Sequence, residues 1–282
     1  MIKRTRQTSD SPRNTGPATG RVVLVTGASA GLGRATADLL ASRGWTVIGA
    51  SRRGTAGRGW HGLVIDVDSD ESVEQGVAHV VARHGGIDAL VLAAGWGLAG
   101  PVETTSPAEA KAQFETNLWG AVRVVTEALP VLRSRAGRIV LISSIGGQVG
   151  IPFQSYYSAS KFALEGWAEA LAYEVAPFGV QVTLIQPGNF RTEFTASRRE
   201  AAAPSGPYTS AFRRAVQVME QDESQGADPI AAARTIAAQL DSPRPRRRIS
   251  VGPGRDRIAL VAKRALPHRW FEALAKDGLG VS

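Results

Sequence analysis

The sequence predicts an α/β fold: a single doubly wound parallel sheet with helices on both faces. Three observations carry this reading. Short, continuously apolar runs alternate with longer amphipathic stretches, as they do where parallel strands are buried on both sides. The first run, Val22 to Val25, leads directly into Thr26-Gly27-Ala28-Ser29-Ala30-Gly31-Leu32-Gly33 and then a helix. Strand, glycine-rich turn and helix is the context in which a dinucleotide diphosphate is held. Last, Tyr157 and Lys161 stand four apart on a long helix set between two of the later runs, which places them on one helix face.

Taken in order, residues 1–20 are rich in Ser, Thr, Pro and Gly and read as a disordered basic tail. Val22–Val25 is the first strand. In the turn that follows, Gly27 permits the bend, Gly31 lets backbone approach a diphosphate and Gly33 lets the helix pack close to the strand. That helix runs to about Arg43. Thr46 to Ser51 is the second strand and ends in Ser51-Arg52-Arg53. A carboxylate there would accept from a ribose 2′-hydroxyl and repel a 2′-phosphate. A hydroxyl followed by guanidinium groups suits the phosphate, so NADP(H) is preferred over NAD(H). Leu63 to Asp66 is the third strand, with Asp66-Val67 at its end. Ser69 caps a helix reaching about His84. Ala89 to Ala94 is the fourth strand, ending at Gly95. A helical region follows, broken near Gly100-Pro101 and resuming from Pro107 through Leu132, with Asn117 inside it. Arg138 to Ser144 is the fifth strand. The helix from Ser155 to Phe178 carries Phe162, Leu164, Trp167, Ala168, Leu171, Ala172 and Val175 at helical spacing. Pro177 and Gly179 stop it. Val180 to Ile185 is the sixth strand, followed by Gln186-Pro187-Gly188.

Composition narrows the function. With 282 residues, 43% of them hydrophobic, the chain can bury a full core. The absence of cysteine excludes disulfides and thiol chemistry. The four histidines, His61, His79, His84 and His268, do not cluster with carboxylates, so no metal is expected. The net charge of +8 divides into +3 over residues 1–20, +7 over 243–282 and, by difference, −2 over 21–242. The basic excess sits at the ends, so a nucleic-acid footprint across a folded face is not indicated. No apolar run approaches the length of a membrane span, and the N-terminus lacks the apolar centre of a secretory signal. A cytoplasmic enzyme is expected.

The chemistry centres on Tyr157. A phenol, with an ordinary pKa of about 10, is a poor acid or base at neutral pH. An ammonium one helical turn away favours the phenolate and lowers that pKa. In an open α/β sheet, ligands lie at the carboxyl ends of the strands. The glycine turn, Asp66, Gly95, Ser144, Tyr157 and Pro187-Gly188 should therefore converge on one crevice.

On these residues the sequence resembles the short-chain dehydrogenase/reductases. The matching stretches are Thr26 to Gly33, Asp66-Val67, Asn117, Ser144, Tyr157-Ser-Ala-Ser-Lys161 and Pro187-Gly-Asn-Phe-Arg-Thr192. The resemblance spans roughly residues 20–255. Within that family the stretch from Tyr156 to Phe194 is most similar to the hydroxysteroid and retinol dehydrogenase-like branch. The resemblance implies a seven-stranded sheet of the Rossmann type, its last strand near Arg247–Val251. It also implies roles: Tyr157 as general acid/base, Lys161 lowering its pKa and holding the nicotinamide ribose, Ser144 orienting the substrate oxygen, and Asn117 bending its helix and holding a water on the way to Lys161. Ser143 is the alternative serine, but the thirteen-residue interval from 144 to 157 favours Ser144. Cofactor contacts are implied for Gly27, Ser29, Gly31, Leu32 and Gly33, for Ser51 and Arg52, for Asp66, Val67, Ala94 and Gly95, for Tyr157 and Lys161, and for Pro187, Gly188 and Thr192. A homodimer or homotetramer is implied too.

The family usually places asparagine before the Ala-Gly that follows strand four; here the chain reads Leu92-Ala93-Ala94-Gly95. A modest loss of stability or cofactor affinity is expected. Asn189 to about Gly226 is the expected substrate lid, carrying Phe190, Phe194, Tyr208, Phe212, Val216, Val218 and Met219. Trp96, Leu98, Val149, Ile151 and Phe153 follow strand ends. Together they suit a ketone, aldehyde or alcohol with an apolar body. Residues 253–282 read as amphipathic helices divided by Pro267, expected to pack on the domain or on a neighbouring subunit, with contact to an anionic membrane surface as the alternative. A non-catalytic nucleotide-binding scaffold or sensor is the alternative function. It is disfavoured because the serine, tyrosine, lysine and asparagine are all present.

Overall fold

The computed structural model describes residues 20–201 and 206–278. The tail expected over residues 1–20 therefore lies, apart from Gly20, outside the described residues. In chain order the elements are β1 (Val22–Thr26), α1 (Gly31–Ser42), β2 (Thr46–Ser51), β3 (His61–Val64), α2 (Asp70–His84), β4 (Ala89–Leu92), β5 (Leu98–Ala99), α3 (Pro107–Phe114), α4 (Gly120–Ser134), β6 (Arg138–Ile142), α5 (Ser155–Val175), β7 (Gln181–Pro187), α6 (Phe194–Ser197), β8 (Arg199–Glu200), α7 (Thr209–Ser224), α8 (Pro229–Asp241), β9 (Arg248–Val251), α9 (Gly254–Ala265) and α10 (His268–Gly278).

Seven strands form one parallel sheet in the order β3-β2-β1-β4-β6-β7-β9. The winding reverses between β1 and β4, which opens a crevice at the carboxyl ends of these strands. Strand periodicity divides the core. Leu24, Leu90 and Leu141 face one side, against α2, α4 and α5; Val23, Val25, Val91 and Val140 face the other, against α1 and α8. Each fully buried Val, Leu or Ile contributes about 1.5–3 kcal/mol.

Several boundaries differ from expectation. β3, β4 and β6 stop at Val64, Leu92 and Ile142, so Asp66, Ala94, Ser143 and Ser144 lie on the loops beyond the strands. β7 runs on to Pro187, extended by its pairing with β9. The segment 95–106 holds no helix. Its backbone is satisfied otherwise: the buried Gln113 side chain accepts from Leu98 N–H at 2.7 Å and donates to the Trp96 carbonyl at 2.7 Å. β5 pairs with β8 of the lid. The helix expected from Pro107 to Leu132 widens into one π turn, Glu115–Trp119, with Asn117 at its centre. Ser69 caps α2 as expected, accepting from Ser72 N–H, and Ser106 and Glu109 form a capping box on α3.

Of the two residues before Ala94-Gly95, Leu92 is buried in the core and Ala93 packs against the core. Thr26 offers a substitute tie, its hydroxyl accepting from Ala94 N–H at 3.3 Å. Of the expected lid residues, Phe212 and Val216 pack with Ala99 and Phe153 as a small core of their own. In the C-terminal extension α9 is tied to the domain through the buried Asp256, which accepts from Asn189 N–H, and through Lys263, which donates to the Gln148 carbonyl, while Ile258 and Val261 of α9 and Trp270 and Leu274 of α10 are exposed on this chain.

Candidate active site

A cavity of about 950 Å³ runs from the glycine turn across the ends of β1, β4, β6 and β7 to the lid. Every sequence-predicted site residue except Asn117 lines it. At one end Gly27 adopts φ 68°, and a Cβ there would stand 2.7 Å from the Ala93 backbone. At Gly33 a Cβ would lie 2.4 Å from the Gly27 carbonyl oxygen. Both positions require glycine, because the turn and the helix start press directly on backbone. Ala30 supplies no capping side chain to α1. Instead the amide of Gly31 donates to Glu193 Oε2 at 3.0 Å, a carboxylate from the start of the lid. A helix N-terminus with an anion on its amide is where a diphosphate would sit.

Further along, Ser51, Arg52 and Arg53 border the cavity. The Ser51 hydroxyl is buried without a hydrogen-bond partner. An orphaned hydroxyl beside two guanidinium groups fits a ligand bringing phosphate oxygens to this spot. Asp66 stands at the same end, its Oδ1 accepting from Asp68 N–H at 3.2 Å. The residues present thus fit a nicotinamide dinucleotide.

The reacting end is more deeply buried. Tyr157, Lys161, Ser144 and Asn117 are 7%, 6%, 8% and 2% exposed. Tyr157 and Lys161 share one face of α5, with Lys161 Nζ 5.9 Å from the phenol ring centre. Ser144 hydrogen-bonds Tyr157, and its Oγ accepts from Gly146 N–H at 3.0 Å. Ser143, the alternative serine, is also buried, but its hydroxyl has no partner. The geometry therefore brings Ser144, not Ser143, to the phenol. Phe194 of the lid closes over Tyr157 with ring centres 5.9 Å apart.

Asn117 does not reach the cavity. Its side chain clamps Trp96, accepting from the amide at 3.0 Å and donating to the carbonyl at 3.0 Å, and it donates to Ser160 Oγ at 3.3 Å. A Cβ on Gly95 would meet Asn117 Oδ1 at 3.1 Å and Lys161 Nζ at 3.7 Å. The π turn thus places its amide beside the lysine.

Electrostatics depart from the sequence-based expectation. Lys161 was expected to lower the tyrosine. Burial dominates instead, and pushes Tyr157 up to about 12 despite the bond from Ser144. Burial also pulls Lys161 down to about 8, opposed by the Glu165 carboxylate one turn further along α5. Lys161 Nζ donates to the Ile142 carbonyl at 2.9 Å. A resting site with a neutral phenol is a proton donor.

Trp96, named from the sequence as a pocket residue, lines the rim, with the Arg199 guanidinium 4.2 Å from its ring centre. Sequence reasoning missed three contributors. Glu193 occupies the anion position. Glu223 lines the lid side, ion-paired with Arg198. Asp256 accepts from Asn189 N–H at 2.7 Å and so ties the Pro187-Gly188 corner to α9. None belongs to a motif; each depends on contacts distant in sequence. Trp96, Ile151, Phe190 and Phe194 line the cavity, whereas Leu98, Val149, Phe153 and Phe212 do not. Among the described residues no group of histidine and carboxylate side chains could hold a metal.

The family model described as short chain dehydrogenase matches residues 21–203. A 3-ketodihydrosphingosine reductase of Bacteroides thetaiotaomicron is 40% identical over 237 residues, 83% of this chain and 88% of that protein. Retinol dehydrogenase 8 of Bos taurus is 35% identical over 249 residues, 80% and 79% of the two chains. A short-chain dehydrogenase from Streptomyces avermitilis superposes with a TM-score of 0.80 at 33% identity, covering 94% of this chain and 99% of that one. With its sheet order, its glycine turn and the Ser144–Tyr157–Lys161 grouping, the chain belongs to the short-chain dehydrogenase family, and it is an oxidoreductase of that family.

Proposed function

We propose that the chain is an NADP(H)-dependent oxidoreductase that interconverts a ketone or aldehyde and the corresponding alcohol on a largely apolar, lipid-like substrate, with Tyr157 as general acid/base. The observation that carries this reading is the buried Tyr157 hydroxyl, bonded by Ser144 and backed by Lys161, in the same cavity as the partnerless Ser51 hydroxyl and Arg52. The apolar lining by Trp96, Ile151, Phe190 and Phe194 supports the substrate class. So do the names of the two relatives, one acting on a sphingoid ketone and one on retinol.

Tyr157, Lys161, Pro187, Gly188 and Thr192 would hold the nicotinamide end of the cofactor, which would supply or accept the hydride at the substrate carbon. In the direction of reduction, Ser144 Oγ–H donates to the carbonyl oxygen and fixes it beside the phenol. Tyr157 O–H delivers its proton to that oxygen as negative charge develops there. Lys161, one turn along α5, stabilises the phenolate that remains. Asn117 holds the π turn open beside Lys161, where a water could restore the proton. Phe194 shields the phenol from bulk solvent. The expected homodimer or homotetramer has a candidate surface on α4 and α5, with Phe162 and Tyr173 exposed on α5 and Trp119 and Phe178 at the adjoining turns.

The test is Tyr157→Phe. It should fold, bind NADPH as the wild type does, and lose roughly 10²–10⁴ in turnover of a long-chain ketone. Undiminished turnover would remove Tyr157 from the chemistry. Binding of a dinucleotide by the wild type without turnover of any ketone, aldehyde or alcohol would return the chain to the scaffold reading.

A further inference from the structure

The extension α9–α10 is amphipathic with its apolar stripe facing outward. On α9, Ile258 and Val261 are 66% and 65% exposed, and with Ala262 and Ala265 they follow the i, i+3, i+4, i+7 spacing of one face. On α10, Trp270 and Leu274 are 60% and 59% exposed, also on one face. The inner side of α9 is fixed to the body: Asp256 accepts from Asn189 N–H, and Lys263 Nζ bonds the Gln148 carbonyl. Both stripes carry the same border. Arg257 and Arg264 stand seven apart along α9, and Arg269 and Lys276 seven apart along α10. Each pair lies two turns apart along one edge of its stripe. Over residues 254–276 there are six basic side chains and two acidic, a net +4, and one of the acidic pair, Asp256, is buried.

An outward apolar stripe edged by cations fits the boundary of an anionic lipid leaflet: the apolar side chains enter the acyl region and the cations meet phosphate groups. We propose that α9 and α10 form a docking face for an anionic membrane surface. A second copy fits less well, because a self-complementary contact would bring this same-sign cationic face against itself. The less charged aromatic surface of α4 and α5 is available for that purpose. The docking face also adjoins the site. Asp256 braces the corner at Pro187-Gly188, and Gln148 belongs to the turn that follows Ser144. Where the substrate is lipid-like, which rests on the reading above, docking would set the cavity rim beside the bilayer that stores it.

The full chain would be floated with vesicles of phosphatidylcholine alone and of phosphatidylcholine with phosphatidylglycerol. Binding needs no turnover, so its outcome is independent of the proposed reaction. The wild type should float with the anionic vesicles and be released by high salt. Trp270→Glu with Leu274→Glu should abolish flotation while leaving turnover of a small water-soluble ketone unchanged. Arg264→Glu with Arg269→Glu should weaken binding well over tenfold, since each cation near an anionic surface contributes roughly fivefold. Absence of flotation with anionic vesicles overturns the proposal. So does flotation unaffected by the Trp270/Leu274 pair, or a dimer in sedimentation velocity that this pair dissolves while vesicle binding is absent.

Discussion

Lys161 should cost the protein stability, and replacing it should return that stability. Its ammonium is 6% exposed, and burial lowers its pKa from 10.5 to about 8. At pH 7 the lysine is charged in both the folded and the unfolded chain. The folded state therefore bears the full penalty of the displaced equilibrium, ~3 kcal/mol at 1.36 kcal/mol per pH unit. As pH rises from 8 towards 10.5, the folded lysine deprotonates before the unfolded one. The unfolded chain then binds more protons, and the penalty fades. Lys161→Met removes the charge but leaves the Ile142 carbonyl without its donor, a loss of about 1 kcal/mol. The net gain at pH 7 is then ~2 kcal/mol, an increase in Tm of about 4–8 °C for a domain of this size. Thermal unfolding of both proteins at pH 7 and pH 9.5 provides the assay. The variant should melt higher at pH 7, and its advantage should largely disappear at pH 9.5. Tyr157 does not confound that window. Its pKa, raised from 10.0 to about 12, makes the folded state lose stability only as pH climbs from about 10 to 12. A variant that melts lower at pH 7, or an advantage that does not change with pH, would refute the reasoning: the lysine would then be fully stabilised by Glu165 and the Ile142 carbonyl.

Glu193→Gln removes the carboxylate that now occupies the Gly31 amide. NADPH and NADH should both bind roughly three- to tenfold more tightly, the value of one exposed charge-assisted hydrogen bond no longer to be displaced; isothermal titration that finds weaker binding, or tightening of one dinucleotide only, would contradict this. Ser51→Ala with Arg52→Asp removes the buried hydroxyl and places a carboxylate at the end of β2. The ratio of NADPH to NADH affinity should fall by at least about tenfold, by loss of one bidentate phosphate contact and gain of a repulsive charge, and fluorescence titration with both dinucleotides reads it; an unchanged ratio would mean that Arg52 is only a solvated turn residue.

What was legible in the sequence was whatever local chemistry dictates. The glycine turn could be read because Gly27 and Gly33 are pressed against backbone, where any side chain would collide. The Tyr157–Lys161 face could be read because helix geometry alone places residues four apart together. Strand ends were less legible. Apolar runs such as Ala89–Ala94 continue past the last ladder bond, because Ala93 and Ala94 line a cavity instead of pairing. Segment 95–106 was misread because its backbone is held by the side chain of Gln113 and by β8, both far along the chain. The π turn at Asn117 was anticipated only as a bend. The extra residue is accommodated where Asn117 must reach the Trp96 backbone from within a helix.

The least legible quantity was the sign of the tyrosine's shift. From spacing alone an ammonium one turn away lowers a phenol's pKa. That argument counts a charge and ignores the medium. Here α5 packs into the sheet so closely that both groups lose their water, and desolvation acts on each in the direction of neutrality. The pair is therefore set as neutral phenol beside a lysine that titrates near 8, not as phenolate beside ammonium. For a reductase this is the useful resting state, because the proton to be delivered is already on Tyr157. Stabilisation by Lys161 is then needed only as the substrate oxygen becomes an alkoxide and draws that proton away. A pH profile for reduction should accordingly fall above about pH 8, where Lys161 loses its charge, well before Tyr157 itself ionises. If activity persisted undiminished to pH 10, the lysine's charge would have no part in the proton transfer, and the proposed division of labour along α5 would have to be abandoned.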